Sequence, residues 1–379
     1  MSARRSNGPG IATRVFGSQW FVSVLAVVIA FAIGAILIAL SGASVVDAYY
    51  AMFRGSIVDP NASTFVRQIK PLTDSLFYSI PLIISGLGLA LGFRAGLFNI
   101  GGKGQIIVGA LAAVWVGFAV NLPPVVHTLV ALLVAVIAGG LYGGIAGVLK
   151  AKTGANEVIV TIMLNSIATL GLGYTLAQKA WQVPGTNQPV TPKVAESAAL
   201  ARLLPAPFKL HVGFLVALVA LVAFWWLIER STLGFQIRAV GANAAAARTA
   251  GISVERITAI TMVLSGAFLG LAGANEALGT IGYVSRDVAG SIGFDAITVA
   301  LLGRNKTWGT FGAGLLFGAF KAGGYTMQAK GVPIDMILIL QSVIVLLIAA
   351  PALVRWLFRL PDVRALAANT RKENADEHK

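Results

Sequence analysis

Uncharged apolar stretches recur along the chain at lengths that match the thickness of a membrane. A bilayer core of about 30 Å requires roughly 20 apolar residues in a helix. Because backbone polar groups must be satisfied inside lipid, such stretches predict helices rather than isolated strands. The predicted crossings cover residues 20–40, 75–93, 157–179, 209–229, 256–276 and 335–355.

Two further regions each divide into a pair of helices. The uncharged run 103–150 is too long for one crossing, and Asn121-Leu122-Pro123-Pro124 interrupts it, which predicts a helical hairpin. The stretch 287–321 is broken by charged residues into two short apolar pieces, 292–303 and 307–320. We interpret these pieces as crossings that are short, tilted or partly re-entrant. The sequence therefore predicts an all-α polytopic membrane protein with about ten transmembrane helices.

The charge map predicts the orientation and the domain organisation. With both termini in the cytoplasm, about two thirds of the 29 lysines and arginines fall on the inner side, as the positive-inside rule requires. The formal net charge of +14 then needs no role in nucleic-acid binding. The predicted parts are a basic tail (1–19), a transmembrane domain (20–355) with external loops 41–74 and 178–211 and a cytoplasmic loop 229–256, and a charged cytoplasmic tail (356–379).

Composition excludes several kinds of chemistry. The chain is 57% hydrophobic and 12% charged, and it has no cysteine and only three histidines. A disulfide framework, a thiolate metal site and a cysteine nucleophile are thereby excluded, and the scattered histidines favour no metal centre. The sequence has no Walker phosphate loop, no catalytic triad order and no HExxH helix. We therefore expect no cofactor and no enzymatic activity in this chain.

Glycine spacing and an internal echo point to the packing of the helices. Glycines recur at four-residue spacing, for example Gly139/Gly143/Gly147 and Gly266/Gly270, which favours closely packed helices in lipid. The segments 85–90 and 265–272 both begin Ser-Gly and end Leu-Ala. They lie in predicted spans that cross in opposite directions, which indicates an inverted repeat of the kind that many transporters contain.

Polar residues at the boundaries of the spans are the candidates for function, because such residues are costly in a membrane. Some lie in a glycine-broken joint after the second span, some at fourfold spacing on one face of the fifth span, and one in the irregular eighth crossing. Interface anchoring, helix capping and interhelical hydrogen bonding are the structural alternatives. The candidate substrate-pathway residues are Asn99, Asn156, Glu157, Thr161, Asn165 and Asp295.

Three of these segments together resemble a known family. They are 93–101 (FRAGLFNIG), 155–165 (ANEVI followed by MLN) and 293–303 (GFDAITVALLG). Over about residues 70–355 the chain is similar to the permease subunit of bacterial ABC importers for nucleosides and simple sugars, and 155–159 resembles the nucleoside branch. The resemblance implies a multi-pass protein of the bacterial cytoplasmic membrane, surrounded by lipids. It also implies three partners: a second permease, a cytoplasmic subunit that binds the ATP, and an extracytoplasmic substrate-binding protein.

The cytoplasmic loop contains a predicted docking element for that ATPase. Asn243 is a good N-cap, alanines follow it, and Gly251 suits the left-handed position after a helix. A helix of about seven residues is too short to be stable alone, so it requires a surface to dock on. An ordinary inner loop is the alternative. The predicted coupling residues are Gly234, Arg238, Gly241, Asn243, Ala246, Ala247, Arg248 and Gly251.

The sequence leaves the function open among related and unrelated classes. A nucleoside ABC permease is the leading hypothesis, and a ribose-type sugar permease is its alternative within the family. An ion-coupled secondary transporter could also use the inverted echo and Asp295. A structural or signalling membrane protein is disfavoured, since it would not need polar faces on central helices.

Overall fold

A computed structural model describes residues 19–333, together with 338–339, 342–343 and 346–347. Over these residues the chain is helical and contains no β-strand beyond one isolated bridge. The predicted crossing 335–355 and the tail 356–379 fall almost entirely outside this part, as does nearly all of the tail 1–19. The prediction of an all-α polytopic fold is confirmed, whereas the total of ten crossings and the sidedness of the termini stay predictions.

Twelve α-helices follow one another along residues 19–328. They are α1 Gln19–Leu40, α2 Val45–Ser56, α3 Phe65–Arg94, α4 Gly102–Ala119, α5 Val126–Thr153, α6 Glu157–Ala177, α7 Gly213–Trp225, α8 Thr232–Ala242, α9 Ala244–Thr249, α10 Val254–Asn275, α11 Ile292–Leu302 and α12 Thr307–Gln328. Short π-helical turns extend α7 over Trp226–Arg230 and α10 over Glu276–Ile281, and a 3₁₀ turn covers Lys179–Trp181.

Six helical segments in the described part are long and apolar enough to cross a membrane. They are α3, α4, α5, α6, α7 with its π turn, and α10 with its π turn. The hairpin predicted within 103–150 is confirmed, because α4 ends at Ala119 and α5 begins at Val126. α11 has only 11 residues, about 16 Å of helix, so it is too short to cross the bilayer alone.

The chain divides into two compact units, 52–326 and a second one that combines 1–51 with 327–379. In the second unit, the hydroxyl of Tyr49 on α2 donates a hydrogen bond to the carbonyl of Phe31 on α1. The two aromatic rings also meet edge to face, with centroids 5.4 Å apart. These contacts join α2, which lies within the predicted loop 41–74, to α1.

In unit 52–326, α3 is the most deeply buried of the candidate spans. Every residue from Ser79 to Gly92 is buried, so this stretch of the helix is covered on all sides. A helix that is apolar all round is expected at the centre of a bundle. α3 therefore forms the core against which α10, α11 and α12 pack.

Glycines allow α5 and α10 to touch backbone to backbone. A Cβ atom added at Gly139 or Gly266 would lie less than 3.0 Å from a carbonyl oxygen of the facing helix. The successive contacts of Gly139, Gly143 and Gly147 move towards the N-terminus of α10, so the two helices run antiparallel. The predicted packing role of this glycine stripe is confirmed. The echoed segments also meet, since a Cβ at Gly88 would lie within 3.0 Å of Ser265 and Phe268.

The substitution Gly266→Ala is expected to lower the melting temperature of the purified protein, because overpacking against a backbone costs about 1–3 kcal/mol. Gly171→Ala on α6 is the matched control, since nothing lies within 4 Å of its added Cβ. That control is expected to raise stability by about 0.5–1 kcal/mol, as glycine disfavours a helix interior. Equal melting temperatures for both variants would contradict the close α5–α10 contact.

The proline-rich connection 178–211 covers one end of the bundle. Its backbone N–H groups at Thr191, Val194 and Leu200 donate to carbonyls of 278–284, just beyond α10. His211 closes the connection, and burial lowers the pKa of its imidazole to about 4, so the ring is neutral at pH 7. The connection is therefore an ordered cap rather than a free linker.

Candidate solute pathway and coupling surface

A non-helical joint connects α3 to α4. It covers residues 95–101 and turns at Gly96, whose φ of +73° is a left-handed conformation that favours glycine. The carbonyl of Gly92 accepts hydrogen bonds from the N–H groups of Ala95 and Leu97, both at 2.9 Å. Much of the joint is buried, so its remaining backbone groups need partners on neighbouring elements, since a buried N–H or carbonyl without a hydrogen bond is costly.

The buried side chain of Asn99 stabilises the joint through hydrogen bonds. Its side chain is fully buried, and its Nδ2 donates to Gln105 Oε1 at 3.0 Å and to Ser265 Oγ at 2.9 Å. Its Oδ1 accepts a hydrogen bond from the Gly101 N–H at 2.9 Å. The structure thus places Asn99 in the closed interior with its polar atoms satisfied, and it links the joint to α10.

The polar face of α6 binds the backbone of the same joint, one side chain per turn. Glu157 Oε1 accepts from the Phe98 N–H at 3.4 Å, and Thr161 Oγ1 accepts from the Ile100 N–H at 3.3 Å. Asn165 makes two bonds, as its Oδ1 accepts from the Gly104 N–H and its Nδ2 donates to the Ile100 carbonyl, both at 2.8 Å. The four-residue spacing of Glu157, Thr161 and Asn165 therefore lets these three side chains bind one continuous stretch of backbone. We call these three side chains the clamp.

The first turn of α6 contains two more predicted pathway residues with local partners. Asn156 is the N-cap, and its Oδ1 accepts from the N–H groups of Val158 and Ile159. Glu157 Oε2 forms an ion pair with the Nζ of Lys150 at 2.6 Å. These contacts stabilise the α5–α6 turn, and they leave Asn165 as the predicted residue that also faces open space.

A cleft of about 640 Å³ lies beside Asn165. Polar groups come from Asn165, Ser166, Thr169 and Lys103, and apolar surface comes from Ile100, Ile162, Leu170 and Phe294. This mixture of hydrogen-bonding groups and flat apolar surface suits a polar organic solute. The cleft opens along α6, where Ile162 and Leu170 are exposed.

α11 meets α4 at the edge of this cleft. A Cβ on Gly293 would lie within 3.0 Å of the Lys103 backbone, so the first turns of the two helices abut. Asp295, in the same turn of α11, accepts a hydrogen bond from the Ser291 hydroxyl at 2.6 Å. The structure therefore brings Asp295 near the cleft but not into its lining. In residues 19–333 no group of three potential metal ligands is found.

The short helix predicted within residues 229–256 is present as α9. Asn243 Oδ1 accepts from the Ala246 N–H at 3.0 Å, and Gly251 follows with a φ of +81°. Ala246 is exposed, whereas Ala247 is 4% exposed and faces the protein. Arg248 forms an exposed ion pair with Glu255 at 2.7 Å. The cap and the end of the helix are therefore as the sequence predicted.

A second helix of this segment, α8, was not predicted. Ser231 is its N-cap, accepting from the Gly234 N–H at 2.9 Å, and Ile237 and Val240 form its buried face. This serine and the spacing of the apolar residues were the available signals in the sequence. Gly234 packs on the π turn that ends α7, and Arg238 has a buried guanidinium nitrogen without a partner in the described part.

Gly241 at the end of α8 touches the joint directly. An added Cβ would lie within 3.0 Å of the Arg94 carbonyl oxygen, and the backbone of Gly96 lies just beyond. α8 and α9 therefore rest on one end of the joint, while the polar face of α6 binds its other end. The predicted coupling residues and the predicted pathway residues therefore contact the same stretch of backbone, the seven-residue joint 95–101.

Residues 72–349 match the family described as the permease component of the branched-chain amino acid transport system. The chain belongs to this permease family. A guanosine ABC transporter permease from Bacillus subtilis is 40% identical to the permease over 349 residues, which cover 89% of this chain and 95% of the relative. No solved structure gives a significant match.

Two further relatives carry different names. A glucose ABC transporter permease from Haloferax volcanii is 36% identical over 85% of each chain. A nucleoside ABC transporter permease from Lactococcus lactis is 31% identical over 92% of this chain and 95% of its own. The permease is thus the multi-pass, non-enzymatic subunit of an ABC transporter in the cytoplasmic membrane, with separate ATP-binding and substrate-binding partners.

Proposed function

We propose that the permease translocates nucleosides into the cell, driven by ATP hydrolysis in its partner subunit. The observation that carries this proposal is the 40% identity to the guanosine permease along nearly the whole of both chains. The cleft beside α6 is consistent with it, because amide and hydroxyl groups can bind ribose while Phe294 and Ile100 offer apolar surface to a base.

A simple sugar is the second candidate substrate, since the glucose permease is 36% identical over most of both chains. Uptake into proteoliposomes that contain the permease with its co-encoded partners separates the two. We expect ATP-dependent uptake of labelled guanosine that other nucleosides inhibit and that glucose and ribose do not. Uptake of glucose or ribose without nucleoside uptake would overturn the nucleoside assignment, and uptake driven by an ion gradient without ATP would favour a secondary transporter.

The cleft is proposed as one half of the route, completed by a second permease subunit. α6 is the least buried of the six candidate spans, and its exposed side chains flank the cleft. A second permease that packs against α6 would close the open side and exclude lipid from Asn165 and Thr169. In this proposal Asn156, Glu157 and Asp295 border the route, while Asn99 and Thr161 hold the backbone that forms its wall.

The proposed orientation places α8, α9 and both termini in the cytoplasm and the cap 178–211 outside. The variants Asn187→Cys and Lys152→Cys test it, because the protein has no native cysteine and both positions are exposed. An impermeant thiol reagent added to intact cells is expected to label the cysteine at 187 and to spare the one at 152 until the cells are opened. The reverse labelling would invert the topology.

A further inference from the structure

A second cleft lies where three helices of unit 52–326 end or begin together. Its volume is about 670 Å³, and it lies between the end of α3, the end of α7 with its π turn, and the start of α12. The residues that matter are Arg94, Trp225, Glu229, Arg230, Lys306 and Trp308. This cleft is separate from the one beside α6, since they share no lining residue.

The cleft carries an excess of positive charge. Arg94 is paired with Glu229, with 3.1 Å between Nη2 and Oε1, and its Nε is buried without a partner in the described part. Arg230 and Lys306 are outside every ion pair found among the described residues. The guanidinium of Arg230 instead lies 5.3 Å from the ring centroid of Trp225. Two cationic groups are therefore left to attract an anion.

The first turn of α12 adds backbone donors to the same cleft. The Thr310 N–H is the first to bond within the helix, to the Lys306 carbonyl at 2.8 Å. The residues before it, 307–309, line the cleft at the end of the helix where N–H groups have no partner from the helix itself. A helix start combined with a guanidinium and an ammonium group is the chemistry that binds a phosphate.

The position of the cleft relative to the candidate membrane spans indicates where that phosphate comes from. α3 and α7 are candidate membrane spans, and the cleft lies at their C-terminal ends. Trp308, at 69% exposure, projects from the start of α12, and tryptophan is enriched at the level of the lipid headgroups. A headgroup phosphate can reach this depth while its acyl chains remain beside the exposed indole.

We propose that this cleft binds the phosphate of an anionic phospholipid. Only the choice of leaflet rests on the orientation proposed above, which places the cleft at the cytoplasmic leaflet. Basic pockets between helices on that side are suited to anionic lipids. Bound lipid would hold Arg94 at the end of α3, and the carbonyl of that residue is the surface against which Gly241 packs. Occupancy is therefore expected to stabilise the contact between the joint and α8.

The test measures lipid binding by the complete transporter purified in detergent, with phosphatidylglycerol and phosphatidylcholine added separately and bound lipid detected by native mass spectrometry. Phosphatidylglycerol is expected to bind more tightly than phosphatidylcholine. Arg230→Gln and Lys306→Gln are each expected to weaken its binding about fivefold, from a loss of about 1 kcal/mol per charge. Lys152→Gln is the matched control, because Lys152 is exposed and lies outside the cleft.

Three results would overturn the proposal. One is equal affinity for the two lipids. Another is that Lys152→Gln weakens the binding of phosphatidylglycerol as much as the cleft variants do. The third is displacement of bound phosphatidylglycerol by millimolar inorganic phosphate, which would assign the cleft to a free anion. Guanosine uptake is recorded in the same preparations. If the transporter shows no lipid preference but takes up guanosine normally in phosphatidylcholine vesicles, the lipid site is wrong and the proposed transport function still stands.

Discussion

The variant Asn165→Leu is expected to reduce uptake at least about tenfold, because it leaves the Gly104 N–H and the Ile100 carbonyl without their partner. A buried polar group that loses its hydrogen bond costs about 1–3 kcal/mol, and this substitution affects two such groups on one turn of chain. The joint would then leave the position that forms the wall of the cleft. The measurement is ATP-dependent uptake of labelled guanosine, normalised to the amount of assembled transporter.

Two further variants distinguish the loss of the hydrogen bonds of Asn165 from a change in side-chain size alone. Asn165→Asp keeps an acceptor for Gly104 but faces a carboxylate towards the Ile100 carbonyl, so we expect uptake between that of the wild type and of Asn165→Leu. Met163→Leu, at an exposed position of the same helix, is expected to behave as the wild type. Wild-type uptake by Asn165→Leu at normal assembly would remove the clamp from the transport mechanism.

The variant Ala246→Asp is expected to abolish uptake by releasing the ATP-binding subunit from the complex. Ala246 is exposed on α9, so a carboxylate there would be buried against the partner without a compensating charge, which costs several kcal/mol. The substitution is compatible with the helix itself, because an acidic residue in the first turn is favourable. The measurement is recovery of the ATP-binding subunit when the permease is purified by an affinity tag.

Ala246→Ser is the control for this position, since it is small, neutral and close in size to alanine. It is expected to retain the ATP-binding subunit and uptake. The neighbouring substitution Ala247→Asp is not informative, because Ala247 is buried against the permease and its replacement would disturb the segment itself. Retention of both subunit and uptake by Ala246→Asp would mean that α9 is not the docking surface.

Local features of this protein could be predicted from the sequence because their physics is local. The break at 121–124, the cap at Asn243 and the fourfold spacing of Glu157, Thr161 and Asn165 depend on residues a few positions apart. What those side chains face could not be predicted. Asn165 was expected to meet solute, and it also binds backbone about sixty residues earlier in the chain.

Long-range partners depend on how whole helices pack, and the sequence contains no simple signal for that. Ser265 lies 166 positions from Asn99, yet the two form one hydrogen-bonded group. Gly293 at the start of α11 likewise lies against the backbone of Lys103 in the first turn of α4, far from it in the sequence. These contacts required the structure.

The contact of Gly241 with the Arg94 carbonyl has a consequence for how such a transporter can evolve. Both ends of the joint are held through main-chain atoms, by Gly241 at one end and by Thr161 and Asn165 at the other. Among the side chains that line the cleft, Asn165 makes such bonds, whereas Ser166 and Phe294 take no part in them. Substitutions at Ser166 or Phe294 can therefore change the chemistry of the cleft while both contacts that hold the joint stay in place.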